Sequence, residues 1–304
     1  MFFLKRLASL PVLLLLISFL AFVLVRLAPG GPFDKERKPA SPEIERALRA
    51  RYHLDEPVWR QYARFLGGLA QGDFGASLKY RNHTVTDIIA QGLPVSLALG
   101  WLAFGFAVGL GLPVGFYTAA RSGQWREYGV SLLILLAVCI PAFVIGPVLV
   151  LLLAIRWEVF PVALWDTPLH VVLPTVSLGL YFAGKFARMM REGMMETLRQ
   201  PFINMARAKG LSETAVLWRH ALPLAVLPVV SYAGPLLADL LTGSFVVENL
   251  FQIPGIGVFM VNSALSRDYP MVVGLVLLYA VLLLVLNLIV DVVYGLLDPR
   301  VRLR

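Results

Sequence analysis

Six apolar runs, close to or beyond the roughly 20 residues that a helix needs to cross a bilayer, constrain this chain more than any other feature. They cover Leu7 to Val25, Pro94 to Ala120, Tyr128 to Ile155, Leu169 to Phe186, Leu224 to Val246 and Met271 to Tyr294. Hydrocarbon offers the backbone no hydrogen-bonding partner, so such runs fold as helices. A hydrophobic content of 58% against 15% charged residues excludes an ordinary soluble domain. The net charge of +8 raises nucleic acid as a partner, but the Lys and Arg residues lie between the apolar runs and read as orientation signals instead. Cys139 is the only cysteine, so no intrachain disulfide or thiolate metal site can form, and its place in an apolar run predicts packing. His53, His83, His170 and His220 are scattered without ligand spacing, and no metal site is expected.

Lys5 and Arg6 precede the first run, which ends in Arg26-Leu27-Ala28-Pro29-Gly30 without a small-residue cleavage site. An uncleaved first span with a cytoplasmic N-terminus is expected. From Gly31 to Leu93 the chain is polar and predicts a helical extracytoplasmic insertion. Ser41-Pro42-Glu43 is one helix start; Pro57 opens another, with Val58, Tyr62, Phe65, Leu66 and Leu69 as its apolar stripe and an end near Gly72. Arg46, Arg49, Arg51, Arg60 and Arg64 do not oppose that side, because long loops translocate largely regardless of charge. The division expected is residues 1–93, first span plus insertion, and residues 94–304, the membrane core.

Pro94 is read as the start of the second span, whose Gly105, Gly109, Gly111 and Gly115 permit close helix packing. Pro141 and Pro147 should kink the third span, and a break of this kind suits a helix lining a pathway, with Pro141 as a candidate gate residue. Arg156 to Pro168 and Glu248 to Pro270 read as outer loops, the second with a Pro254-Gly255 turn and a short helix to Ser266. Cytoplasmic charge concentrates at Lys185, Arg188, Arg191, Arg199, Arg207, Lys209 and Arg219. Six spans put both termini in the cytoplasm. Lys185, Asp239 and Asp291 are the ionisable residues within or near spans; Lys185 and Asp291 lie close enough to the cytoplasmic ends to snorkel. Asp239 lies roughly two-thirds of the way across from the inner face and is the candidate for substrate or gate contact.

No phosphate loop, nucleophile elbow or zinc-protease helix occurs, so the chain reads as a conduit with no catalytic residues. Gln200 to Pro223 is a polar, basic segment between apolar runs. Pro201 suits a first helical turn, Lys209 a last one, and Gly210 the left-handed position that ends it. Ser212 can cap a second helix with Glu213 near its positive end. Phe202, Met205 and Ala206 share a face of the first helix, with Arg207 and Lys209 pointing elsewhere. A helix this short needs a docking partner to be stable.

That segment resembles the cytoplasmic motif of bacterial ABC importer permeases: Glu-Ala-Ala, three residues, Gly, nine residues, Ile-x-Leu-Pro. Asn204, Met205, Ala206, Gly210, His220, Leu222 and Pro223 occupy those places; the leading Glu and Ala are replaced, and Ile is His. The form Ala206-Arg207-Ala208-Lys209-Gly210-Leu211 followed by Arg219-His220-Ala221-Leu222 is similar to the peptide-transporter branch. Arg26 to Gly30, Tyr52-His53-Leu54, Gly72-Asp73-Phe74-Gly75, Pro254-Gly255-Ile256-Gly257, Arg267-Asp268-Tyr269 and Asp298-Pro299-Arg300 extend the resemblance, in order, over nearly the full length. Their order and spacing are similar to the B-type permease subunit of oligopeptide importers.

The resemblance implies an all-α integral membrane protein of about six spans with the type I importer permease fold. It implies a coupling helix whose Phe202, Met205, Ala206, Arg207, Lys209, Gly210 and Leu211 meet a cytoplasmic ATPase. It implies a second homologous permease subunit, two ABC ATPase subunits that bind ATP and Mg, and an extracytoplasmic peptide-binding protein. The chain itself would hold no cofactor and sit among membrane lipid in the bacterial inner membrane. A dipeptide, nickel or other small-solute importer is the alternative, and an ion-driven secondary transporter is a more distant one, since it would not need the Gln200 to Pro223 module.

Overall fold

The computed structural model describes residues 2–27, 55–80 and 82–297. Among them the regular structure is helical, apart from one isolated antiparallel bridge between Ala76 and Thr84. In chain order the helices are α1 (Phe2–Leu27), α2 (Val58–Leu69), α3 (Val85–Ala120), α4 (Trp125–Cys139) and α5 (Ala142–Leu149), which widens into a π-helical segment, Val150–Arg156. Then come α6 (Pro168–Leu198), α7 (Pro201–Ala208) and α8 (Glu213–Ala215), which runs through a second π-helical segment, Val216–Ala221, into α9 (Leu222–Ala225). The chain continues with α10 (Leu227–Leu250), α11 (Ile256–Ser266) and α12 (Tyr269–Leu297). The helix start at Ser41 and the signatures at Tyr52 to Leu54 and Asp298 to Arg300 lie outside the described residues.

Among the described residues five helices are long and apolar enough to span a membrane: Ser9–Leu27, Val85–Ala120, Pro168–Leu198, Leu227–Leu250 and Tyr269–Val290. The sixth expected span is broken rather than kinked: α4 and α5 meet at 105°. The cause is local. A proline disfavours helical geometry in the residue before it, and Ile140 is extended at φ −92° and ψ 118° ahead of Pro141. Pro147 stays inside α5 without breaking it. Cys139 ends α4 exposed, so it does not fill the packing role expected of it.

Other boundaries move outward. The second span starts at Val85, not at Pro94, because Thr84 and Asp87 cap it reciprocally: Asp87 N–H donates to Thr84 Oγ1 at 3.1 Å and Thr84 N–H to Asp87 Oδ2 at 3.1 Å. Pro94 then costs only an interior hydrogen bond in a helix otherwise held by its apolar side chains. The fourth span continues past Phe186 to Leu198 and the fifth past Val246 to Leu250.

The chain divides into two compact units, Met1–Ser96 with Pro254–Leu282 and Leu97–Ile253 with Leu283–Arg304. In the first, Val85, Ile88, Ile89, Ile256, Met271 and Leu275 form a buried cluster. A second cluster sets Phe65 and Leu69 of α2 against Ala21, Val273 and Leu277, which gives these two residues of the expected stripe their partners, while Val58 stays exposed. Asp268, fully buried, accepts from Ser77 Oγ and from the backbone N–H groups of Leu78 (3.1 Å), Lys79 (3.3 Å) and Met271 (3.3 Å). One carboxylate thereby ties the loop after α2 to the start of α12.

The second unit is built around α6, onto which α4, α5, α9 and α10 pack. Its glycines divide in use. A Cβ on Gly111 would lie 2.6 Å from the Ala183 carbonyl oxygen and one on Gly115 2.3 Å from that of Ala187, so only glycine allows α3 to approach α6 this closely. Gly105 and Gly109 have no such neighbour within 4 Å and lie exposed on the other side of α3.

Candidate functional site

Gln200 to Pro223 forms a helix, a sharp turn and a second helical run. Pro201 takes the first position of α7, where its missing N–H would have no partner in any case. The helix ends at Lys209, and Gly210 adopts φ +80°. Leu211 N–H then donates to Ala206 O at 3.4 Å and Gly210 N–H to Arg207 O at 2.9 Å, the paired bonds of a Schellman termination. Ser212 Oγ accepts from Ala215 N–H at 3.3 Å and starts α8, as its residue type predicts.

Across this turn Arg207 Nε and Nη2 donate to the two carboxylate oxygens of Glu213, at 3.1 and 2.6 Å. The fork braces the two helices against each other. It holds the Glu213 carboxyl below the ordinary carboxylate range and raises the Arg207 guanidinium further. In the sequence Arg207 stands off the face of Phe202, Met205 and Ala206 and Glu213 near the start of the second helix, with nothing that pairs them.

The faces of α7 differ in part from expectation. Phe202 and Met205 are exposed, at 38% and 60%, and Leu211 adds 41% just beyond the turn. Ala206 is not part of that face: with Ile203 it is buried against its own chain. The side chains of 203 and 206 share the inner stripe because residues three apart are neighbours on a helix. Arg207 and Lys209 are exposed. The second helical run is anchored by Val216, Ala221 and Ala225, all buried, and Gly193 of α6 lets the Ala225 carbonyl come so near that a Cβ there would sit 2.5 Å from it. The π-helical turn before Pro223 relieves the clash that its ring makes with a normal i−4 carbonyl.

Of the membrane candidates, Asp239 lies on α10 between buried Leu236, Leu237, Ala238, Leu240 and Leu241, yet is itself exposed. Pro141 stands exposed at the break between α4 and α5. Lys185 is not at a helix end, since α6 continues to Leu198; its Nζ lies 4.6 Å from the Tyr181 ring centroid. Asp291 falls within α12.

A family model for the N-terminal part of binding-protein-dependent transport system membrane components matches residues 1–100, and one for the binding-protein-dependent transport system inner membrane component matches residues 111–303. The chain belongs to this family. The permease is therefore a multi-pass protein of the inner membrane. It is 43% identical over 302 residues to the oligopeptide transport system permease protein OppB of Haemophilus influenzae, covering 99% of this chain and 98% of that one. To the dipeptide transport system permease protein DppB of Bacillus subtilis it is 39% identical over 302 residues, again 99% and 98% of the two chains. Among solved structures, an inward-facing form of the MetNI methionine ABC transporter superposes with a TM-score of 0.59 at 20% identity, covering 69% of the permease and 96% of that chain. A crystal structure of an amino acid ABC transporter gives 0.52 at 18%, covering 71% and 94%. At these identities the likeness speaks for the fold, that of ABC importer permeases.

Proposed function

We propose that this permease forms half of the translocation pathway of a peptide importer and that α7 is the element through which cytoplasmic ATPases move it. The observation that carries the coupling role is the exposed pair Phe202 and Met205 on a short, Schellman-ended helix between long spans. An apolar face of this kind on a helix too short to be stable alone calls for a groove to receive it. Peptide as the substrate class is supported by the identity to oligopeptide and dipeptide permeases over nearly the whole chain. ATP and Mg would be bound by two partner ATPase subunits, a second homologous permease would complete the pathway, and an extracytoplasmic binding protein would deliver peptide. Both termini would face the cytoplasm.

Rigid-body transmission suits this geometry. The Arg207–Glu213 fork and the buried anchors Val216, Ala221 and Ala225 join α7 to α6 without a loose joint. A displacement of α7 is thereby passed to a spanning helix, biased by nucleotide bound elsewhere. The test is reconstitution of the assembled transporter in proteoliposomes. Replacing Phe202 and Met205 together by Ala should remove peptide-stimulated ATP hydrolysis while leaving membrane insertion and the buried side of α7 intact. Unchanged stimulation would overturn the coupling role.

A further inference from the structure

Arg26 lies at the end of the first span, and its side chain does not extend outward from that end. Nη1 donates to Phe22 O at 3.2 Å, the guanidinium carbon stands 3.4 Å from the Phe22 ring centroid, and Nε and Nη2 both donate to Gln61 Oε1 at 3.3 and 2.9 Å. The cation is thus drawn back along α1 to the level of Phe22, inside the apolar segment Ser9–Leu27. Its polar partners are neutral, and among the described residues no carboxylate pairs with it. A half-buried charge one turn from the end of an apolar span, with neutral partners, is costly, and cations at such places ordinarily have a partner.

The same guanidinium lines a cavity of about 380 Å3. Phe22, Phe65 and Phe74 are among its apolar lining, and its charged lining among the described residues sets two guanidinium groups, Arg26 and Arg64, against one carboxylate, Asp73, with the Tyr269 ring centroid 6.0 Å from the Arg26 guanidinium carbon. Arg64 is partly spent on Glu56, at 2.8 Å, which leaves Arg26 as the cation with open valence. Around the site the outward residues of α1, Phe19, Leu20, Leu24 and Leu27, are exposed and apolar. On α2, Trp59 is 65% exposed beside the Arg60 guanidinium, 5.0 Å from its ring centroid, as interfacial aromatic anchors are.

We infer that this cavity binds the phosphate of a membrane phospholipid, with Arg26 as the charge partner, Gln61 as the residue that aims it, and the phenylalanine lining holding the glycerol and upper acyl chain. Lipid is favoured over a water-borne carboxylate because the cation lies within one turn of the end of an apolar span, the level of lipid headgroups, and shares its cavity with apolar side chains that an acyl chain can cover. The bound lipid would fasten α2 to α1 from the membrane side.

The experiment uses the assembled transporter in detergent, stripped of lipid, titrated with phosphatidylglycerol and read by native mass spectrometry. The wild-type complex should retain one more lipid than Arg26→Gln, with half-saturation shifted roughly tenfold in the variant, the loss expected for a charge-assisted contact. Arg26→Lys should restore most of the retention, and Gln61→Leu should weaken it with the charge still present, so the reading does not depend on a single variant that might fold poorly. Inorganic phosphate and a free peptide at the same concentration should not displace the lipid. Equal retention by wild type and both Arg26→Gln and Gln61→Leu, or displacement by phosphate or peptide, would overturn the assignment.

Discussion

Arg191 on α6 places Nη2 2.6 Å from Oε1 of Glu127 at the start of α4, joining helices whose residues are 64 positions apart. Glu127 is only 3% exposed and also accepts from Gly123 N–H and Ser131 Oγ, each at 3.2 Å. The pair closes the turn between α3 and α4 onto the central helix of its unit.

Removing one partner should cost more than removing both. Arg191 is a third exposed, so Glu127→Ala should destabilise by about 2 kcal/mol, between the ranges for surface and buried pairs. The double variant Glu127→Ala with Arg191→Met should lose less than the sum of the two single variants. Thermal unfolding of the detergent-purified complex measures both, and additive losses would show that the two residues act independently.

Asp268→Asn should loosen the loop after α2. The carboxylate accepts from Ser77, Leu78, Lys79 and Met271, whereas a carboxamide brings a donor of its own into that ring of donors. A loss of roughly 2 kcal/mol is expected. Faster amide exchange at residues 77 to 80, with α7 unaffected, is the signature to look for.

At Gly210 the constraint is conformational and not steric, since a Cβ would meet nothing within 4 Å but φ is +80°. Gly210→Val should cost about 1–2 kcal/mol at the turn, abolishing transport and ATPase coupling with membrane insertion preserved. Gly210→Asn, which tolerates this region, should retain most activity. Normal coupling in the valine variant would show that the turn does not aim α7.

Asp239 is exposed on α10 among buried neighbours and is the ionisable residue placed deepest in a span by the sequence. Asp239→Leu should change transport rate or selectivity across a panel of peptides differing in charge. Identical profiles for variant and wild type would leave it a structural role.

The Arg207–Glu213 fork makes a small acid-sensitive contribution. Because the folded carboxyl is held below its ordinary value of 4.5, the stabilisation is complete above that pH and is lost as pH falls through the depressed value. Both side chains are well exposed, so the contribution is only about 0.5 kcal/mol and should fade in high salt. Glu213→Gln should abolish the acid dependence of limited proteolysis at the turn, and a persistent dependence would locate it in another group.

Much of the Gln200 to Pro223 module was legible in the sequence because its signals are local. Pro201, Gly210 and Ser212 act on their own turns, and each takes the predicted place. The partner of Arg207 and the inward turn of Ala206 were not legible, since they depend on how two helices face each other across Gly210. At Arg267 the chain ends α11 at φ +58° with a residue type that does not announce a left-handed stop.

Consecutive residues alone specify a series of spanning helices, a polar insertion after the first and a polar, basic module between the fourth and fifth, because length, apolarity and helix punctuation are local properties. Only the tertiary structure decided that the third span breaks at 105°, that Gly111 and Gly115 seat α3 on α6 while Gly105 and Gly109 stay open, and that Arg26 folds back onto Phe22 and Gln61. Each of these depends on which atoms meet across long stretches of chain, and helical periodicity specifies the face that a residue occupies without naming what lies opposite.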